Sequence, residues 1–238
     1  MKKIEYLLFI AITINLLPLG YMLILEFGSI DIVKLFTITG NSLILAIVSV
    51  LLSFLFALPS AYIFVTLKNY YRYFVIIFVL LISIMPPFLI SILFTNLFYF
   101  FNIENGFAVL SFTHMILIFP YTLALMILGF SYVPKSAMYS SKLYASNFFK
   151  GFVMFYFPFM KTAFLVATVL GITISMSQYI VTLMLGTPSF TTLMIQIIPY
   201  LKSADLQSAN SYGIVFIVNS IFAIYILHRL NNVISKNK

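Results

Sequence analysis

ITGNSLILAIVSVLLSFLFALPSAYIFVT, residues 38–66, decides the fold class of this chain. The run carries no charged side chain. A membrane-spanning helix needs about 20 apolar residues, so this one can cross a bilayer with length left over for tilt or an interfacial extension. Five further apolar stretches lie at about 6–26, 73–101, 108–130, 159–185 and 206–228. The sequence predicts an all-α integral membrane protein of about six transmembrane helices. These fill residues 1–238 as a single transmembrane domain and leave no room for a separate soluble one.

Composition supports this reading. Of the 238 residues, 63% are hydrophobic and only 8% are charged. A soluble domain carries roughly a quarter charged residues to keep its surface wet, and lipid removes that need. There is no cysteine, which excludes disulfides, thiolate metal sites and thiol catalysis. There is no tryptophan, so an interfacial aromatic belt must come from the 16 tyrosines. The net charge of +8 suits cytoplasmic loops better than nucleic acid. Met1-Lys2-Lys3 followed by an apolar run resembles a signal peptide. The run extends from about Tyr6 to Leu25 without a small-residue cleavage site, so a retained first span is expected.

The basic residues orient the spans. With the N-terminus inside, the cytoplasmic segments hold Lys2, Lys3, Lys68, Arg72, Lys135, Lys142, Lys150, Lys161, Arg229, Lys236 and Lys238. The external segments hold Lys34 and Lys202, eleven against two. The bias alternates loop by loop, which places both termini in the cytoplasm of a multi-pass protein of the cell (inner) membrane. Four of the five acids (Glu26, Asp31, Glu104, Asp205) fall outside. No charge lies mid-span, which argues against a proton-coupled carrier. Pro18, Pro59, Pro86, Pro87 and Pro120 fall inside spans, where each bends a helix or marks a hinge.

The longest separator, residues 131–157, is neither short nor a flexible Gly/Ser linker. Pro134 is placed to start a helix over Ser136 to Ala145, and an aromatic run (Phe148, Phe149, Phe152, Phe155, Phe157) leads to Pro158. A surface helix carrying aromatics either docks a partner or lies on lipid, and the residues alone leave both open.

This segment resembles the cytoplasmic coupling loop of permeases in binding-protein-dependent (type I) ABC importers. That loop reads Glu-Ala-Ala, three residues, Gly, then a hydrophobic stretch ending in an apolar residue and Pro. Phe157-Pro158 matches the end. Counting back puts the Glu-Ala-Ala positions at Tyr139, Ser140 and Ser141 and the glycine position at Ala145. The glutamate and the glycine are thus replaced, while Ser140, Ser141 and Ala145 stay small. Phe152 stands where the family prefers Phe, and Pro134-Lys135-Ser136 where it often has Pro-x-Ser. Asn41-Ser42-Leu43 with Ala57-Leu58-Pro59-Ser60-Ala61-Tyr62, Met85-Pro86-Pro87-Phe88, His114 with Phe119-Pro120-Tyr121, and Ser177-Gln178-Tyr179-Ile180-Val181-Thr182 are similar to the family's other core helices. The likeness runs over about 38–228, and its fifth span is most similar to the iron, polyamine and thiamine branch.

The resemblance implies a permease subunit that forms the substrate path and performs no chemistry. It implies a second permease subunit, the same chain or a different one, and an external substrate-binding protein. It also implies cytoplasmic ATPase subunits that bind the ATP, since no P-loop sequence occurs here. Residues 136–147 would be the coupling helix, with Ser136, Tyr139, Ser140, Ser141, Ala145, Ser146, Asn147, Phe152 and Pro158 forming or supporting the ATPase contact. Polar residues within spans are candidates for the substrate path: Asn96, His114, Ser175, Gln178 and Thr182. At 100° per residue, 175, 178 and 182 share one face of a helix. The plainer reading of each is an interhelical hydrogen bond. No cofactor or metal site is expected. An ATP-independent carrier or channel is the alternative, and a membrane-embedded enzyme has little to build with, given two histidines and no mid-span carboxylate.

Overall fold

The computed structural model describes residues 31–236, apart from Lys68 and Asn105. The expected first span at 6–26, with Pro18, lies outside the described residues. The described elements are all helical. They are α1 (Ile32–Thr66), α2 (Asn69–Ile84), α3 (Pro87–Phe100), α4 (Phe107–Ser131), α5 (Lys135–Tyr144), α6 (Phe148–Gly151), a π-helical turn (Phe152–Tyr156), α7 (Phe157–Ser177), α8 (Ile180–Leu185), α9 (Leu193–Lys202) and α10 (Leu206–Lys236). Among the described residues three helical stretches are long and apolar enough to cross a membrane: Val33–Thr66, Phe107–Ser131 and Phe149–Ser177. A fourth is added if the bent pair α2–α3 is taken as one span. The sixth apolar stretch falls within α10.

Helix α1 shows the pattern that lipid selects. Ser42, Ala46, Ser49, Ser53, Ala57 and Ala61 are buried, while Ile44, Ile47, Leu51 and Leu55 are exposed. The small side chains face protein and the large apolar ones face outward, the reverse of a water-soluble helix. Small residues let helix backbones approach closely, which is how helices associate where lipid offers no hydrophobic drive.

The core is α1, α4 and α7. Leu45 of α1 packs with Val109 and Leu110 near the start of α4, and Ala57 and Ala61 pack with Met126 and Phe130 near its end, so α1 and α4 run parallel. Met160 joins the second group, whereas Met176 joins Ile38 and Ala46. Helix α7 therefore runs antiparallel to both. Gly171 sits where α7 crosses α1 and α4: a Cβ there would stand 2.6 Å from Val50 Cγ2 and 3.0 Å from Ile118 Cγ2. Tyr212 joins Ile38 and Met176, so α10 starts at the end where α1 starts. This arrangement separates the charges. Asp31, Glu104 and Asp205, with Lys34 and Lys202, cap one end of the bundle. Lys135, Lys142, Lys150 and Lys161 gather at the other.

Three expectations need correction. The stretch 73–101 is not one straight helix: α2 and α3 meet at a bend of 99°. Pro86 and Pro87 have no N–H to give to the carbonyls four residues earlier, and Pro86 is extended at ψ 138°. The stretch 159–185 is also broken. Helix α7 stops at Ser177, Gln178 is extended (φ −79°, ψ 101°), and α8 begins at Ile180. The separator 186–205 contains α9, whose Leu193, Ile197 and Tyr200 pack against α10, with Tyr200 stacked on Tyr212 at 5.6 Å. Ser42 Oγ accepts from the Leu193 N–H at 2.9 Å, and Asn41 Nδ2 donates to the Thr191 carbonyl at 3.1 Å. Two polar side chains at the start of α1 thus clamp α9.

The turn after α1 is closed by Arg72. Its Nε donates to the Phe64 carbonyl at 3.1 Å and its Nη2 to the Val65 carbonyl at 2.6 Å. The guanidinium also lies 5.8 Å from the Phe64 ring centroid. Carbonyls in a helix's last turn are short of backbone donors (that of Phe64 has the Leu67 N–H at 3.3 Å), and a cation there meets the negative end of the helix dipole. Arg72→Ala is expected to cost about 1–2 kcal/mol. Arg72→Lys should recover only part of this, because a point charge lacks the two-pronged fork. Thermal unfolding followed by circular dichroism in detergent checks this; an alanine variant that melts with the wild type would refute the capping role.

Candidate functional site

Two sites emerge, one at the basic end and one in the core. At the basic end α4 stops at Ser131, and α5 begins after extended Pro134 (φ −68°, ψ 148°). The sequence placed this helix at Ser136 to Ala145, and it runs over Lys135–Tyr144. None of its residues is buried. Ala137 and Met138 pack against the bundle beside Phe130, Val133 and Tyr156. On the outer side Tyr139 is 65% exposed, Leu143 76% and Tyr144 76%. Tyr139 and Leu143 are four residues apart and lie one above the other on the helix surface. A short helix with so little buried area cannot hold itself by propensity. Its seating comes from Gly151, where a Cβ would strike Ser141 Oγ and stand 3.0 Å from Ala145 Cβ. Ser141 and Ala145 approach Gly151 of α6, within this chain. Sequence reasoning passed over Gly151, Ala137 and Met138. The only signal was the glycine six residues before the end of an aromatic run.

The remaining loop residues sort by position. Ser136, Ser146 and Asn147 are exposed, and Ser140, Phe152 and Pro158 are half-buried. Asn147 Oδ1 accepts from the Lys150 N–H at 2.8 Å and caps α6. Phe152 stacks on Tyr156 at 6.2 Å and meets Phe130 at 6.5 Å. The π-helical turn lies just before Pro158, which has no N–H for the Met154 carbonyl, and a widened turn absorbs that missing bond.

In the core, His114 is fully buried on α4. Its Nδ1 lies 2.9 Å from Ser175 Oγ on α7, and its Nε2 lies 3.2 Å from Thr182 Oγ1 on α8. The Thr182 hydroxyl donates to the Gln178 carbonyl at 2.7 Å. Its proton is thereby used, so His114 Nε2 donates to Thr182, and in a neutral ring Nδ1 accepts from the Ser175 hydroxyl. For a neutral imidazole this places the ring proton on Nε2. The ring ties together the two helices on either side of the break at Gln178. Of the five residues expected along a substrate path, the structure unites His114, Ser175 and Thr182. Gln178 joins only through its carbonyl, its side chain half-buried. The break means that 175, 178 and 182 do not share one continuous helix face. Asn96 stands exposed on α3, outside this group. Helix α3, which follows the first break, packs on α8, which follows the second. Among the described residues no three His, Cys, Asp or Glu side chains gather as a metal site would require.

His114→Ala is expected to destabilise the protein by about 2–3 kcal/mol, through a buried hydroxyl left unbonded and a cavity. Thr182 keeps its bond to Gln178, so Ser175 is the stranded group. Adding Ser175→Ala should recover part of the loss. Thermal unfolding of the single and double variants measures this, and a double variant no better than H114A would refute the assignment.

No known protein-family model matches this sequence, and neither does any characterised protein.

Proposed function

We propose that this chain is the permease subunit of an ATP-driven, binding-protein-dependent importer of the cell membrane, with its basic end in the cytoplasm. The observation that carries the reading is α5: a ten-residue helix at the basic end, none of it buried, with Tyr139, Leu143 and Tyr144 turned outward and its inner side seated against Gly151. An apolar outer face flanked by Lys135 and Lys142 suits the groove of a partner protein. A helix fastened through close small-residue contacts can pass a partner's motion to the bundle as a rigid piece. The partner is a cytoplasmic ATPase subunit. A second permease subunit completes the path, and an external binding protein delivers the substrate.

The path is proposed to run beside the packed pair α3 and α8. Transporters place their sites where membrane helices are discontinuous, because the freed backbone groups there can meet a substrate. Gln178 and Asn96 are candidate contacts, and His114, Ser175 and Thr182 hold the joint. The test is purification of the intact chain in mild detergent together with its ATP-hydrolysing subunit, followed by transport in proteoliposomes. ATP-dependent uptake that requires the ATPase is expected. Uptake that proceeds at full rate without ATPase or ATP overturns the reading.

A further inference from the structure

A cavity of about 260 Å³ opens at the root of α5, lined by Tyr62, Ser141, Lys142, Ala145, Asn147 and Tyr156. It lies between the end of α1, the inner side of α5 and the π-helical turn. Its polar lining is one cation, one amide and three hydroxyls. Lys142 supplies an ammonium group. Tyr62, Ser141 and Tyr156 bring hydroxyls to it, that of Ser141 already bonded to Tyr156. Asn147 has its carboxamide oxygen occupied by the Lys150 N–H, which leaves its nitrogen to donate. No carboxylate lines the cavity, and Asp31, Glu104 and Asp205 cap the opposite end of the bundle. The volume corresponds to several water molecules at about 30 Å³ each.

We infer that this cavity binds a phosphate-bearing anion, either the headgroup of an anionic phospholipid or free phosphate. Three features support the assignment. A phosphate oxygen accepts hydrogen bonds only, so a lining that offers an ammonium group and an amide N–H and holds no acid is the matching chemistry. The cavity sits at the basic end, where Lys135 and Lys150 add to the field of Lys142 and raise the local concentration of anions. It also lies beside the last turn of a membrane-spanning helix, the level at which headgroups stand. Basic pockets between helices at this level hold lipid headgroups in other settings. The site is independent of the importer reading, since it uses only groups within this chain.

The experiment uses the full-length protein, delipidated in detergent. Its unfolding midpoint is followed by circular dichroism while phosphatidylglycerol, phosphatidylcholine or inorganic phosphate is titrated, with phosphate compared against chloride at equal ionic strength. Phosphatidylglycerol alone raising the midpoint identifies a headgroup site. A rise with inorganic phosphate as well identifies a site for the phosphate itself. In either case Lys142→Glu should weaken the apparent affinity about tenfold or more, a charge-assisted contact being replaced by repulsion. Lys150→Glu makes the same change of charge outside the lining and should weaken it far less. Both side chains are exposed, so both variants should fold with wild-type midpoints when no ligand is added. The inference is overturned if no anion shifts the midpoint, if phosphatidylcholine stabilises as strongly, or if the two variants lose affinity equally.

Discussion

Gly171→Ala is expected to destabilise the protein by about 1 kcal/mol, and Gly171→Leu by about 3 kcal/mol or more. Two effects oppose each other at this site. Alanine is favoured over glycine in a helix by about 1 kcal/mol. Against this, a Cβ would stand 2.6 Å from Val50 Cγ2 and 3.0 Å from Ile118 Cγ2. Both neighbours are β-branched and stiff about χ1, so neither can swing aside. Overpacking a well-filled core costs about 1–3 kcal/mol, which outweighs the helix preference. Val50→Ala alone should also destabilise, by opening a cavity. In that background the sign should reverse, with Gly171→Ala raising stability. The coupling in this double-mutant cycle, read from midpoints in detergent, is the decisive quantity. Simple additivity would mean that α7 does not cross α1 and α4 at this contact.

Under the proposed importer function, Tyr139→Asp with Leu143→Asp is expected to abolish association with the ATPase subunit while leaving the unfolding midpoint of this chain unchanged. The two side chains are 65% and 76% exposed, so the bundle loses almost no packing when they change. Anchor residues at the centre of an interface contribute about 2 kcal/mol or more each, and one such loss weakens binding roughly thirtyfold. Two buried carboxylates facing an apolar groove would add a desolvation cost. Co-purification with the ATPase, and ATP-driven uptake in proteoliposomes, are the measurements. Full uptake with both substitutions in place would remove α5 from the coupling role. Gly151→Val gives a useful contrast. It leaves the outer face intact but drives Ser141 and Ala145 off their seat, so association should survive while transport falls.

The sequence made the membrane character and α5 legible, because both rest on local pattern. Residues 38–66 could not be anything but a long apolar helix, and Pro134 marks where α5 starts. The bend between α2 and α3 was half legible. Pro86 and Pro87 were visible, but a single proline within a span usually kinks a helix rather than turning it through 99°. The break at Gln178 had no local signal, since no proline or glycine stands there. It is fixed by partners 61 and 68 residues away, through the bonds from His114 to Ser175 and Thr182. Helix α9 did carry a signal: Leu193, Ile197 and Tyr200 fall at helical spacing. Lys202, Gln196 and Pro199 made it look like a separator. Gly151 shows the limit most clearly. Its role is a contact with another element, and one chain of letters does not contain that distance.

The bend between α2 and α3 has a consequence for solvent. Helix α2 has 16 residues and is about 24 Å long, shorter than a hydrocarbon layer of about 30 Å. With α2 upright, α3 runs nearly parallel to the membrane surface, and the corner between them stays below it. There the last carbonyls of α2 find no donor in Pro86 or Pro87, which carry no N–H. Hydrocarbon cannot satisfy them. A corner held at that depth would need water or a neighbouring chain to satisfy them, on a flank otherwise sheathed in exposed Tyr, Phe, Ile and Leu.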